Sequence, residues 1–335
     1  MRHMDHKNAK TIVITGPTAS GKTSLSIALA KYLINEKKIP CVILNFDSLL
    51  FYKEISIATA KPTLEERENI PHGLIDIASI QDPLTAFDFI QMAKKEIEHW
   101  HHNGKLVLLV GGSAFYLRAL FKGMYENQEP SNSTLSPQLN FEEVKNLQGI
   151  EVIIQYLEKN DPDIFNYIHQ NDHYRLVRAA QYFHDNGMKL SIKRVEFDAQ
   201  NPYDFSKNIV HFLHHHIHLD IPKEEHLRLI HKRTQDMLDK GIIDEILDLK
   251  NRGFDLGLRP LQSIGPKEVL DYLEGKIATP EECLEKINIK TRQYAKAQRT
   301  FFKKISPKLE YISVNGWPSQ WDHILNDLLP FLEKK

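Results

Sequence analysis

The sequence predicts an α/β fold in which a parallel sheet is flanked by helices and interrupted by an all-helical insertion. Three observations predict it. Short apolar runs at 11–15, 41–44 and 106–110 alternate with stretches of helical periodicity, the pattern of parallel strands covered on both faces. Two of these runs end in ligand-type turns, Gly16-Pro17-Thr18-Ala19-Ser20-Gly21-Lys22-Thr23 and Gly111-Gly112-Ser113. From 141 to 192 the periodicity is helical throughout, with no strand between.

Taken in order, Thr11-Ile12-Val13-Ile14-Thr15 is the first strand and 24–32 the helix after the glycine-rich turn. Residues 41–44 are the second strand, ending at Asn45-Phe46-Asp47, and 87–101 has helical spacing. The wholly apolar run 106–110 suits a buried parallel strand. Segment 125–138, rich in Asn, Ser, Pro and Thr, reads as a linker. A strand returns at 209–221, and the last third is mostly helical at 223–239, 242–252, 266–273 and 281–304. The domains expected are a core of 1–124 and 205–335 and a helical insertion of 125–204.

The 335 residues are ample for one large domain with an insertion, or for two domains. Apolar content of 41 % and charged content of 26 % describe a soluble globular protein. No apolar run approaches the ~20 residues that cross a bilayer, so no membrane partner is expected. The polar start, Met1 to Lys7, is unlike a signal peptide. Cys41 and Cys283 are far apart and form no metal-ligand pair, which fits a reducing, cytoplasmic setting. With a formal net charge of −1, any nucleic-acid partner must be met by basic residues gathered on one face.

Gly16 to Thr23, between a strand and a helix, is a phosphate-binding P-loop in its required context. Its small residues let backbone N–H groups converge, and the helix N-terminus adds positive charge there. Lys22 can reach bridging phosphate oxygens, and the Thr23 hydroxyl can hold Mg2+. Asp47 comes directly after the second strand and so shares the crevice beyond the strand ends. It can accept a proton from a nucleophile or hold Mg2+, or else cap the next turn. The third strand ends in two glycines and Ser113 where a motor ATPase carries an acid, which weakens an ATP-hydrolysis reading.

Arg233, on the helix 223–239, has the planar fork suited to a pyrophosphate, though a helical Arg is ordinarily a solvated surface residue. Residues 286–304 hold Lys286, Lys290, Arg292, Lys296, Arg299, Lys303 and Lys304 and no acid, interleaved with Tyr294, Phe301 and Phe302. They read as a phosphate-backbone surface or as a solvated face with an aromatic edge. Arg175 and Arg178 share a helix face as a second basic contact or a structural pair. A strand would spread His211, His214, His215, His216 and His218 over both faces, so they read as structural or solvated residues and not as a metal site.

Together these residues resemble the bacterial tRNA dimethylallyltransferase, or tRNA isopentenyltransferase, family. Gly16 to Thr23 is similar to its GPTASGKT. Asp47-Ser48-Leu49-Leu50-Phe51-Tyr52-Lys53 with Thr59-Ala60-Lys61-Pro62 is similar to its DSxxxY…GTAKP. Val110-Gly111-Gly112-Ser113 with Tyr116, Ala119 and Leu120 is similar to VGGTxxY…ALL, and Thr291 to Gln298 to TRQxAKRQ. Pro71-His72 and Asp88-Phe89 fit the same pattern, and the resemblance spans about 11 to 304.

The resemblance implies a P-loop NTPase-like core whose loop binds the diphosphate of dimethylallyl diphosphate. It implies transfer of the dimethylallyl group to N6 of the adenosine 3′ of the anticodon, in tRNAs reading codons that begin with U. Asp47, Ser113 and Arg233 would be catalytic. Gly16, Thr18, Ala19, Ser20, Gly21, Lys22 and Thr23 would bind the diphosphate, Thr23 also Mg2+. The tRNA anticodon stem-loop would meet Ser48, Leu49, Leu50, Arg175, Arg178, Lys267, Arg292 and Gln298, and the enzyme would be a monomer.

The chain departs from the family pattern in several places. Ser113 stands for Thr, Glu54 and Ala58 for Gly, Tyr174 for Gln and Ala297 for a basic residue, and 262–267 differs from RxxGYR. These changes bear on RNA recognition more than on chemistry. A small-molecule P-loop kinase and a catalytically silent RNA-binding relative are the other readings.

Overall fold

The computed structural model describes residues 9–124, 139–210, 212–314 and 316–334. Strands β1 (Lys10–Thr15), β2 (Cys41–Asn45), β3 (His72–Gly73), β4 (Leu106–Val110), β5 (Leu213–Asp220) and β6 (Leu309–Ile312) form one sheet in the order β3-β2-β4-β1-β5-β6. Every pairing is parallel. β2 and β4 are buried along their whole length, which is why their sequences are unbroken apolar runs rather than alternations. Helices α1 (Lys22–Asn35), α2 (Ala86–His102) and α3 (Ala114–Lys122) come after β1, β3 and β4.

The chain divides into two compact units, Met1–Phe121 with Phe205–Lys335, and Lys122–Asp204. The second unit holds α4 (Phe141–Gln148), α5 (Ile150–Asn160), α6 (Pro162–Tyr167), α7 (His173–Asn186) and α8 (Leu190–Ala199) around Phe141, Ile153, Leu157 and Leu176. Asp161 is fully buried in it. Its carboxylate accepts the Ile164 N–H at 3.4 Å and the Ser191 N–H at 3.0 Å, so one side chain caps α6 and ties down the start of α8.

The first unit continues with α9 (Lys223–Asp239), α10 (Ile242–Asn251), α11 (Pro266–Leu273), α12 (Pro280–Phe302) and α13 (Trp321–Glu333). One core gathers β1, β4 and α1 through Ile12, Leu29 and Leu108 and is joined by Leu328 of α13. A second joins α10, α11 and α12 through Ile246, Val269 and Ile287.

The strand register brings three strand ends level. Val110 pairs with Ile14 of β1 and with Asn45 of β2. The segments leaving β1, β2 and β4 therefore start side by side at the carboxyl edge.

The strand expected at 209–221 is shorter. The Ile209 N–H goes to Phe121 O and the Val210 N–H to Asn208, so neither can join the ladder. β3, β6 and α13 carried no expectation, the two strands being too short to show a period. The segment 125–138 and His211 lie outside the described residues.

His216 and His218, two residues apart, share a strand face. Both reach the Thr15 hydroxyl, at 2.8 and 2.9 Å. Burial pushes His218 down to about 4, against the opposing pull of Asp220, and His214 down to about 4, with His215 adding to it. Burial, with the neighbouring His218 and His214 adding to it, also lowers His216 well below its ordinary value. The folded chain thus keeps these rings neutral, while the unfolded chain takes up protons below about 6.5. Stability is expected to be full above that pH and to fall between about pH 6.5 and 4 as the unfolded state binds more protons. Melting temperature measured across this range checks it; a flat profile contradicts it.

Candidate active site

The phosphate loop leaves β1 at Thr15 and enters α1 at Lys22. Gly16 is required by crowding, since a Cβ there would lie 2.6 Å from Leu219 O of β5. Ala19 (φ 59°) and Gly21 (φ 84°) take the left-handed conformation, the kind of backbone alternation that builds an anion nest. The first turn of α1 carries no acid and no side-chain cap, which leaves its N–H groups and dipole to an anion. The Ser20 hydroxyl is buried without a hydrogen-bond partner. Lys22 donates from Nζ to Pro17 O at 2.8 Å. Burial lowers its pKa to about 8, with Asp47 acting to raise it and Arg233 to lower it further. A cavity of about 1110 Å³ opens on this loop, lined by Ser20, Lys22, Thr23, Arg233, Trp317 and Trp321 among others.

Thr18 is held from three directions. Its N–H donates to Gln298 Oε1 at 2.8 Å, its carbonyl accepts from His226 Nε2 at 2.7 Å, and its hydroxyl accepts from Arg233 Nη1 at 3.0 Å. Arg233 also donates Nη2 to Thr59 O at 3.1 Å, so its fork bridges the phosphate loop and the segment after β2. Gln298 donates Nε2 to Gly112 O at 2.9 Å and thereby joins the loop to the end of β4. At Gly112 a Cβ would sit 2.5 Å from that nitrogen and 3.5 Å from Asp47 Oδ2. The strand-end glycine is what lets α12 and Asp47 approach together.

Asp47 is positioned by buried Asn45. The Asn45 side chain accepts the Asp47 N–H at 2.8 Å and donates to Asp47 O and Leu74 O at 3.0 and 2.9 Å. Asp47 opens a one-turn helix, Ser48–Phe51, without a side-chain capping bond, so its carboxylate is not spent as a cap. Ser113 Oγ accepts the Ser48 N–H at 3.2 Å and lies 3.5 Å from Asp47 Oδ1. Tyr294 turns its hydroxyl to Ser113 and Gln298; burial and then the charge of Asp47 raise its pKa. A carboxylate, a hydroxyl and two cations therefore surround one phosphate loop. That arrangement can hold a polyphosphate and take a proton from a nucleophile beside it.

Sequence reasoning named Asp47, Ser113, Arg233, Lys22 and Thr18, and the fold brings these together. Gln298, expected to touch RNA, is instead buried with both ends of its amide on backbone groups of the site. It is a strut between α12, the phosphate loop and β4. The expectation of an acid-free basic face on α12 is also revised. Lys286 pairs with Glu282 and Arg292 with Glu285 on the same helix, and Arg299 turns inward to Asp220. Lys267 pairs with Asp271 at 2.9 Å. Exposed pairs of this kind are worth about 0–1 kcal/mol. In the helical unit, Arg175 lies 3.3 Å from Asp172, and Arg178 sits one turn later on the same helix. Among the described residues, no group of three or more His, Cys, Asp or Glu is placed to hold a metal.

His226 and Glu245 were missed as site residues, while Arg299 and Tyr294 had been read only as part of the basic, aromatic-edged stretch 286–304. Glu245 accepts three N–H groups, from Ser56, Ile57 and Ala58, at 2.7, 2.8 and 2.9 Å. It shapes the loop whose Thr59 carbonyl holds Arg233. Glu245→Ala is expected to cost about 1–3 kcal/mol of stability by stranding those donors. It should also weaken phosphate-ligand binding several-fold. Thermal melting and a pyrophosphate titration check this, and no change in either contradicts it.

Comparison with known proteins places these features. Residues 50–305 match the family model described as IPP transferase. The tRNA dimethylallyltransferase 1 of Trichlorobacter lovleyi is 35 % identical over 91 % of this chain and 93 % of that one. The tRNA dimethylallyltransferase of Bacillus anthracis is 32 % identical over 88 % of each. Among solved structures, a eukaryotic dimethylallyltransferase acting on tRNA superposes with a TM-score of 0.73 at 28 % identity, covering 96 % of this chain and 80 % of that one. The tRNA isopentenylpyrophosphate transferase of Bacillus halodurans gives 0.65 at 27 %, covering 97 % of each.

Proposed function

The chain belongs to the IPP transferase family, and from that premise we propose that it is a tRNA dimethylallyltransferase acting through the phosphate loop and Asp47. Dimethylallyl diphosphate is the donor and N6 of an adenosine beside the anticodon is the acceptor, in tRNAs that read codons beginning with U. The observation that carries this reading is the meeting of Lys22, from the loop after β1, Asp47, directly after β2, and Arg233 of α9.

The N6 lone pair attacks the allylic carbon as the carbon–oxygen bond to the diphosphate breaks. That electron pair leaves with pyrophosphate, and the N6 proton goes to Asp47. The target base must leave the anticodon stack to reach this position. Ser113 orients the amine, and Lys22 and Arg233 offset charge on the leaving group. Mg2+ fits the donor set: the Thr23 hydroxyl stands at the exposed start of α1 and the buried Ser20 hydroxyl has no partner. Mg2+ takes few protein oxygens and fills its shell from phosphate and water. When bound, it would supply further charge neutralisation on the diphosphate.

Arg175, Arg178, Lys267, Arg292, Ser48, Leu49 and Leu50 are the RNA-side residues of this proposal, and the enzyme acts as a monomer in the cytoplasm. Among the described residues no helix is long and apolar enough to cross a membrane.

The test is incubation with labelled dimethylallyl diphosphate, Mg2+ and an anticodon stem-loop carrying three adenosines. Label is expected in the RNA. Phosphate transfer from ATP without prenyl transfer would overturn the reading in favour of a kinase. RNA binding with neither activity would favour a silent relative.

A further inference from the structure

We propose that Asp220, Arg299 and His226 form a positioning relay that fixes the Thr18 carbonyl, and through it the shape of the phosphate loop. The proposal rests on the reading that this loop holds the diphosphate of the prenyl donor. Asp220 closes β5, His226 lies on α9 and Arg299 on α12, so three elements converge on one loop atom.

The hydrogen-bond chemistry fixes the direction of the relay. Arg299 donates Nη2 to His226 Nδ1 at 2.7 Å. A guanidinium can only donate, so Nδ1 must be the acceptor nitrogen. The ring hydrogen is therefore on Nε2, which donates to Thr18 O at 2.7 Å. Arg299 is itself fixed by Asp220 Oδ1, 2.7 Å from its Nε, and by Ile221 O, 3.1 Å from Nη2. His226 is 2 % exposed, so water cannot replace either of its bonds. Without Arg299 the buried Nδ1 loses its donor, and only the Thr18 carbonyl still selects this tautomer and holds the ring. Among the described residues, none of the three hydrogen-bonds Asp47, Ser113 or Lys22. The relay therefore acts on ligand binding through the loop backbone and leaves proton removal untouched.

The experiment measures the dissociation constant of inorganic pyrophosphate by calorimetry, and KM and kcat for prenyl transfer to the stem-loop. In His226→Leu, pyrophosphate affinity is expected to fall about tenfold, the equivalent of one ordinary net hydrogen bond. Donor KM should rise in parallel with kcat within about twofold. Arg299→Leu should give a similar loss, and the double variant should be no worse than either single one, because the two residues act as one unit.

If the Leu variants fail to fold, His226→Gln and His226→Asn decide the matter. Gln reaches the Thr18 carbonyl and should bind near the wild-type level, whereas Asn, which reproduces only the Nδ1 position, should lose the same tenfold. Unchanged pyrophosphate affinity in His226→Leu, multiplied losses in the double variant, or equal behaviour of Gln and Asn would overturn the relay. A wild-type protein that binds pyrophosphate in this pattern but prenylates no RNA would sink the donor reading and leave the relay standing.

Discussion

Asp47→Asn is expected to lower kcat for prenyl transfer by about 10²–10⁴-fold, the usual worth of a positioned general base. Donor affinity should change little. The substitution keeps the shape and the backbone bonds to Asn45, so the turn after β2 survives. It removes the group that takes the N6 proton. It also removes a negative charge that acts on both Lys22 and Arg233, so pyrophosphate binding should be equal or tighter. Single-turnover kinetics beside calorimetry separates the two effects. Near-normal turnover would show that Asp47 is not the base.

Arg233→Lys should be nearly as damaging as Arg233→Gln, with kcat reduced about 10²–10³-fold, as when a preorganised charge-stabilising donor is lost. The guanidinium holds Thr18 Oγ1 and Thr59 O at once. An ammonium keeps the charge but lacks that planar fork. Loss of the bridge also unties the loop shaped by Glu245, so donor KM should rise together with the fall in kcat. A Lys variant with wild-type kcat would mean that charge alone suffices and the bridge is incidental.

Most of the sheet was legible in the sequence. β1, β2 and β4 are buried on both faces, and that burial demands the unbroken apolar runs by which they were found. β3 and β6 were not, because two and four residues show no period and are held by neighbouring strands. At the site, Asp47 was found from its place after a strand, but whether its carboxylate was a cap was open. The lack of a capping bond and the nearness of Ser113 decided that. Basic residues on α12 all looked alike in sequence. Arg299 differs only because Asp220 closes the strand beside it, a pairing across 79 positions.

By itself, the sequence determined that residues 16–23 form a strand-to-helix loop of the phosphate-binding type, because a P-loop is local chemistry: eight consecutive residues, two backbone conformations and one helix start. The resemblance of four separated motifs then pointed to the prenyl donor and to RNA. Only the tertiary structure decided how the loop is held. Thr18 is fixed by Gln298, His226 and Arg233, each more than two hundred positions away. Which side chain donates, which accepts and which is buried depends on distances of a few ångströms set by the packing of α9 and α12 on the sheet, and no local pattern encodes those distances.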